Sequence, residues 1–422
     1  MGNMKKQNKK ADKKSVSFFK TNKKILAGTL AALLLALAAA AIIVFSPSKN
    51  FTVAFYKIDD SQRKGISEVI TNIAKEKNIA VKFLQYESEK SLEDQIPIAK
   101  KPAVIITQAG FALETALDKA SPKALLSSEI SQGMTSSMCS GIKEKDGLIT
   151  AIPFLSSHFE VDIDLNEFRN SNTKQVNTWN DVEKFMREQK RKKDSPMIFA
   201  GGNPDSFLNL MGAFAESIDG AQSYYDASQI LKDNQKNFNA VRVAQKLCDE
   251  PDSPLATSVK LLKSWYKLGL IHQGAFSLQN TDVEAFASNR LASVLFMSLE
   301  EHRATATKTI SRYSSIYFPS EHGANSRIFT GKTYYAVPMV KSKKAAEIIA
   351  ALLSVQSQES LSRVTGLAPV LAQCRIPDKQ AEDARFWVAA TTCPLAGLSS
   401  EVYLTKKQKE ALSAEIASRI KN

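Results

Sequence analysis

The sequence predicts an α/β protein of two lobes behind one N-terminal transmembrane helix. Three observations carry this. Between residues 51 and 119, short β-rich runs alternate with helically spaced apolar residues, in the order strand–helix–strand–helix–strand. That alternation is the pattern of βαβ units and a parallel sheet. The residues from 46 to 422 exceed what one hydrophobic core ordinarily serves, so two lobes are expected. Finally, residues 25–45 form a run of 21 with no charge and no proline, matching the roughly 20 apolar residues that span a bilayer as a helix.

The chain opens on a basic tail. Residues 1–24 hold nine lysines and one aspartate, a net +8 of the whole chain's +13. The basic character therefore belongs mostly to the tail, and without interleaved aromatics or an attached fold it does not read as a nucleic-acid site. Lysines before the 25–45 run and the polar SPSKN after it place 1–24 in the cytoplasm and the body outside, by the positive-inside rule. The expected location is the inner (cytoplasmic) membrane, single-pass, with the large domain in the periplasm or outside the cell. The rival reading is a cleaved signal peptide, for which Ala38 to Ala41 offer small-residue sites. An h-region is usually about 7–15 residues, however, so an uncleaved signal anchor is the expectation. No cysteine lies in or just after the run for a lipid anchor, and Lys6 stands where a myristoylation signal wants Ser or Thr.

The body follows in order. Residues 51–58 (FTVAFYKI) read as a first strand, Ile66, Val69, Ile70 and Ile73 as a helix face, and 80–86 (AVKFLQY) as a second strand. A helix candidate covers 92–99. Residues 103–107 (AVIIT), between Pro102 and Gly110, read as a buried parallel strand, and 111–119 as helix. In such sheets ligands sit at the carboxyl ends of the strands, here 56–60 and 108–111. Residues 146–185 then carry the chain from one lobe to the other: strand-like runs at 148–154 and 159–163, a short acidic and aromatic segment, and a helix start at Thr178 with Asp181 three residues on. Residues 196–200 (PMIFA) are a further strand. The Gly201-Gly202-Asn203-Pro204 turn after it is either simply a turn or a place where backbone approaches a ligand. Helices are expected at 207–217, closed by Gly220, at 243–248 and at 258–268, with Trp265 in the core. A buried strand is expected at 291–297, a returning strand at 334–338, and helices at 345–355, 381–390 and after Thr405, where Gln408 sits at the reciprocal capping position.

Four cysteines, Cys139, Cys248, Cys374 and Cys393, show no CxxC spacing; they are either buried thiols or, outside the cell, partners in disulfides, with Cys374 and Cys393 the expected pair. The four histidines, His158, His272, His302 and His322, show no metal-ligand spacing and read as surface or packing residues. No HExxH, GxSxG or P-loop is present, so neither catalytic residues, a metal nor a cofactor is expected. Glu300 and Glu301 beside His302 read as ordinary surface acids at a strand end.

Four passages resemble the bacterial extracellular solute-binding proteins of family 1, the maltose, multi-sugar and glycerol-phosphate type that feed ABC importers. They are DGLITAIPFLSSHFEVDIDLNEFRN followed by TWNDVEKF, VEAFASNRLASVLFMS, YYAVPMVKSKKAAEIIAALLSVQSQESL and TGLAPV, in that order along the chain. The resemblance implies a two-lobed periplasmic-binding-protein-like fold with the ligand in a cleft between lobes. The lobes would exchange segments, roughly 51–153 with 303–338 and 158–300 with 345–422. It implies ligand contacts at Tyr56, Asp59 and Gln108 after the first-lobe strands, at Ser156, Ser157 and Phe159 in the crossing, and at Asn203, Ser298, Lys332 and Tyr334. Where many members place a sugar-stacking Trp after the VLFMS strand, this chain has Leu299, Glu300 and Glu301. The expected function is a membrane-anchored solute receptor, not an enzyme, that closes on a carbohydrate and hands it to an ABC permease in the inner membrane. The alternative is the same fold kept as an envelope scaffold or sensor module without transport.

Overall fold

In the computed structural model, residues 51–96, 100–321, 329–391 and 394–422 are described. The expected anchor at 25–45 and the basic tail lie outside them, as do His322 and Cys393. None of the described helices is long and apolar enough to cross a membrane.

Thirteen strands are present among the described residues: β1 Phe51–Tyr56, β2 Val81–Gln85, β3 Val104–Gln108, β4 Lys143–Lys145, β5 Leu148–Ser156, β6 Phe159–Asp164, β7 Met197–Phe199, β8 Val294–Ser298, β9 Tyr313–Ile316, β10 Phe329–Thr330, β11 Thr333–Pro338, β12 Ala368–Pro369 and β13 Pro394–Leu395. They form two main sheets. The first runs β12-β5-β11-β3-β1-β2, with β4 beside β5; the second runs β7-β8-β6-β9. A small β10–β13 pair lies apart from both.

The first sheet is parallel where the βαβ alternation predicts it. β1 pairs in parallel with β2 and β3, with Phe55 opposite Gln85 and Ile106. Its FTVAFY sequence is almost continuously buried because both faces are covered. Val53 and Phe55 pack into one core with Ile66, Ile70 and Ile73 of helix Asp60–Glu76; Ala54 and Tyr56 pack into another with Ala112, Leu113 and Ala116 of helix Phe111–Lys119. β11 returns antiparallel between β3 and β5.

β5 belongs to the first sheet and β6 to the second, so the chain crosses at residues 157–158. The second-sheet core stacks Trp179 on Phe214, with ring centroids 4.2 Å apart, and buries Trp265 beside them. Thr178 caps helix Trp179–Gln189 with the reciprocal Asp181 contact, and Thr405 and Gln408 do the same for helix Lys406–Lys421. Gly220, at φ +90°, ends helix Pro204–Asp219; the helix that follows, Ala221–Asn234, was not anticipated.

The partition of segments differs from the expected one. Residues 345–388 were assigned to the second lobe, yet Ala345, Ile348, Ile349, Leu352, Leu361, Ala384 and Val388 lie in the first-sheet core with Val53 and Phe55. Residues 303–317 were assigned to the first lobe, yet β9 pairs with β6 and Ile310 and Tyr313 pack on the second sheet. The end of the chain, with Leu398, Leu412, Ile416 and Ile420, packs in the second core. An amphipathic helix announces which face is buried, and any apolar sheet face of suitable shape satisfies it.

Candidate functional site

A cavity of about 440 Å³ opens between the two sheets, within the range of small-molecule sites. Its first wall comes from the carboxyl ends of the parallel strands and the residues beyond them: Lys57 and Asp59 after β1, Gln108 at the end of β3, Phe111 at the helix start after it, and Lys332 just before β11. The second wall is built from Phe159 of β6, Phe296 and Ser298 of β8, Glu300 and Glu301 of helix Leu299–Ala304, and Asn203, Ser206 and Asn209 around the start of helix Pro204–Asp219. Asn280, Ser399, Ser400 and Lys409 complete it.

Local sequence explains several of these positions. Asn203 is the N-cap of a helix with Pro at its first position; its side-chain oxygen accepts from the Asp205 and Ser206 amides at 3.0 and 3.3 Å, and its amide nitrogen donates to Asn280 at 3.1 Å. Ser298 and Glu301 form a capping box: the Glu301 amide donates to Ser298 Oγ, and the Ser298 amide donates to Glu301 at 2.7 Å. Glu301 also accepts from Ser206 Oγ at 3.0 Å and from Asn280 Nδ2. Gly201 and Gly202 serve protein packing: a Cβ on Gly202 would meet the Ser277 carbonyl oxygen at 2.5 Å.

The charged groups are held by one another. Glu300 is only 6% exposed, accepts from Ser157 Oγ, and accepts from Tyr334 Oη at 2.7 Å. Lys332 Nζ stands 3.4 Å from Asp59 and 3.8 Å from Glu300. Burial works against the Lys332 ammonium, but the charges of Glu300 and Asp59 outweigh it and raise its pKa. Burial and the neighbouring Glu300 carboxylate raise that of Tyr334, keeping its hydroxyl a donor. Lys57, over the Phe111 ring at 5.6 Å, has its pKa lowered by burial and by Lys409, which itself pairs with Asp205. Across the opening, Gln108 Nε2 donates to Ser400 Oγ at 3.3 Å and Tyr403 Oη to the Glu89 carbonyl at 3.1 Å.

Of the residues named from the sequence, Asp59, Gln108, Phe159, Asn203, Ser298 and Lys332 come together on the cavity wall. Tyr56, Ser156, Ser157 and Tyr334 do not. Tyr56 is buried, and its hydroxyl donates to the Lys90 carbonyl. Ser156 is buried and bonds the Ser157 carbonyl, while Ser157 and Tyr334 stand behind the wall and hold Glu300. Strand-end position does not decide which way a side chain points; the pleat does.

The reading of Glu300 and Glu301 as surface acids is corrected, since both line the cavity and Glu300 is buried. The Ser-x-x-Glu spacing of 298–301 was the signal that placed them at a helix start facing the strand end. Leu299, at the position where this chain departs from the resembled family's aromatic, is fully buried in the first-sheet core, and the aromatic wall comes from Phe159 and Phe296, 6.0 Å apart, with Phe111 opposite. Asn209 and Asn280 carry no local signal, being single amides on ordinary helices. Of the histidines read as surface or packing residues, His158 and His302 are buried beside Glu160 and Asp162, outside the cavity lining. Cys139, Cys248 and Cys374 are free thiols, and the expected Cys374–Cys393 bridge involves a residue outside the described ones.

No family model and no curated protein matches the sequence. Solved structures do match. The bacterial solute receptor AcbH, with its preference for β-D-galactopyranose, aligns over 89% of this chain and 99% of its own, at a TM-score of 0.63 and 12% identity. A chitin oligosaccharide binding protein aligns over 88% and 95%, at 0.62 and 14%. A sugar transporter from Bacillus licheniformis in complex with stachyose aligns over 88% and 98%, at 0.57 and 11%. At such identities the likeness is one of fold, and the fold is the one the four sequence passages resemble: this chain is folded as the sugar-binding solute receptors are.

Proposed function

We propose that the protein is an extracytoplasmic solute receptor that closes on a carbohydrate and delivers it to an ABC permease. The observation that carries this is the composition of the cleft. Aromatic faces from Phe159, Phe296 and Phe111 stand beside side-chain amides and hydroxyls from Gln108, Asn203, Asn209, Asn280, Ser298 and Ser400. The apolar faces suit a sugar ring's C–H surface, and the amides and hydroxyls suit its hydroxyl groups. The fold's likeness to receptors of galactopyranose, chitin oligosaccharide and stachyose supports the same ligand class. Asp59, Glu300 and Lys332 are engaged with one another, which leaves them able to orient hydroxyls rather than to transfer protons. In this reading residues 25–45 anchor the receptor in the inner membrane, with the body facing outward.

The test is native mass spectrometry of the protein purified from a host extract, followed by thermal melts against a sugar panel. Binding to the folded state alone raises Tm by linkage. A copurifying or panel sugar that raises Tm, with the rise abolished by Phe296→Ala and Asn280→Ala, supports the reading. An empty cleft and no shift across mono- and oligosaccharides overturns it.

A further inference from the structure

The second sheet holds a charged group that the cleft does not use. Side chains alternate along β6: Phe159, Val161 and Ile163 enter the second core, while Glu160 and Asp162 point to the opposite face. His302, from helix Leu299–Ala304, reaches the same place. Its Nδ1 stands 2.6 Å from Glu160 Oε1 and 3.1 Å from Asp162 Oδ1. All three side chains are 0% exposed. Neither carboxylate oxygen of Asp162 receives a hydrogen bond of sound geometry. Two carboxylates in a dry interior are costly unless a cation and donors compensate them. Among the described residues this is the group of His, Cys, Asp and Glu side chains whose ligand atoms all lie within 4.8 Å of one another.

We propose that Glu160, Asp162 and His302 bind a divalent transition-metal ion of the zinc class, seated behind the sugar cleft where the two lobes meet. One imidazole and two carboxylates are a donor set for Zn²⁺, Mn²⁺ or Co²⁺, and three protein ligands leave a position for water. Charge balances: two carboxylates, a neutral imidazole and a divalent ion sum to zero. Tetrahedral ligands about 2.1 Å from an ion stand roughly 3.4 Å apart. The hydrogen-bond spacings above therefore widen by under about 1 Å, by side-chain rotation.

The surroundings supply the outer contacts that such sites use. His302 Nε2 lies 3.0 Å from the Gln380 side-chain amide, which rotates to accept the proton that a metal on Nδ1 leaves on Nε2. His158 Nε2 stands 2.9 Å from the other Glu160 oxygen, and its ring packs edge-on against Trp387, 4.7 Å between centroids. Gln380 and Trp387 belong to helix Lys379–Ala389, whose Ala384 and Val388 sit in the first-sheet core. An ion here would tie β6 of the second sheet to the helix carrying Glu300 and Glu301.

The full chain is produced in zinc-supplemented medium, and separately refolded with Zn²⁺, Mn²⁺ or Co²⁺, then desalted and its metal content measured. The expected result is one ion per chain in the wild type, with visible absorption bands of a low-coordinate site for Co²⁺. Asp162→Asn and Glu160→Gln, with folding checked by circular dichroism, are expected to retain at least tenfold less. Wild-type protein that is folded and retains none of the three metals overturns the proposal. So do folded variants that retain the wild-type amount, which identifies an adventitious ion elsewhere. Should both variants fail to fold, the wild-type content and its Co²⁺ spectrum still decide: octahedral aquo-like bands refute the site. Sugar binding is measured in parallel, so failure of the receptor reading and failure of the metal site are separable.

Discussion

Tyr334→Phe tests whether Glu300 is a buried, ionised wall group held by its neighbours. The substitution removes one hydroxyl and keeps the ring, so it opens no cavity of consequence. The lost contact is a 2.7 Å hydrogen bond from a hydroxyl to a carboxylate that is 6% exposed. A hydrogen bond to a charged partner contributes about 1.5–3 kcal/mol, against about 0.5–1.5 kcal/mol for a neutral pair. The same change made in a Glu300→Gln background should therefore cost less, with a coupling of about 1 kcal/mol or more between the two sites. The assay is urea unfolding of the wild type, both single variants and the double variant, followed by tryptophan fluorescence. The midpoint should move while the slope stays constant. Equal losses from Tyr334→Phe in both backgrounds would show that the hydroxyl does not act on a charged Glu300, and the electrostatic account of that wall would fall with it.

Three further outcomes follow from the structure. Gly110, at φ +89° and ψ −153°, occupies backbone space essentially reserved for glycine, and a Cβ there would press on the Ser400 carbonyl of the opposite lobe. Gly110→Ala should cost about 1–3 kcal/mol in backbone strain and disturb the contact with Ser400; a variant with wild-type Tm contradicts that contact. Burial opposes the charged form of Asp181, but hydrogen bonds from the Asn177 and Thr178 amides and the Thr178 hydroxyl outweigh it and lower its pKa. Its stabilisation is present above the unfolded carboxylate value and is lost as pH falls through the lower folded value. Asp181→Asn should thus be less stable than wild type at pH 7, with the gap closing below about pH 4; a gap independent of pH rejects the ionic origin. Burial pushes the Cys248 thiol up to about 12 and the Cys374 thiol to about 11, while Cys139 is exposed. Iodoacetamide at pH 8, read by peptide mapping of these three positions, should modify Cys139 and spare the other two in the folded protein; prompt labelling of Cys248 would contradict its burial.

Sequence alone determined what local chemistry determines. The βαβ alternation of 51–119, the capped starts at Thr178 and Thr405, the core role of Trp265 and the terminating Gly220 were legible because periodicity and caps act within a few residues. So were Asp59 and Gln108 on the cleft wall, since strand ends in a parallel sheet converge on one edge whatever the partner sequence; Phe159, Asn203, Ser298 and Lys332 came from the family resemblance. Tertiary structure alone decided the rest. Helices Lys343–Leu352 and Val355–Thr365 advertise an apolar face but not the sheet that covers it, and they settled on the first sheet rather than the second. Tyr334 and Ser157 looked like ligand contacts and instead became the support of Glu300, because the pleat turned them behind the wall. Glu160 and His302, 142 residues apart, meet only when β6 and the helix after β8 share an edge. Burial of a charge is a property of everything packed around it, and no window of sequence contains those neighbours.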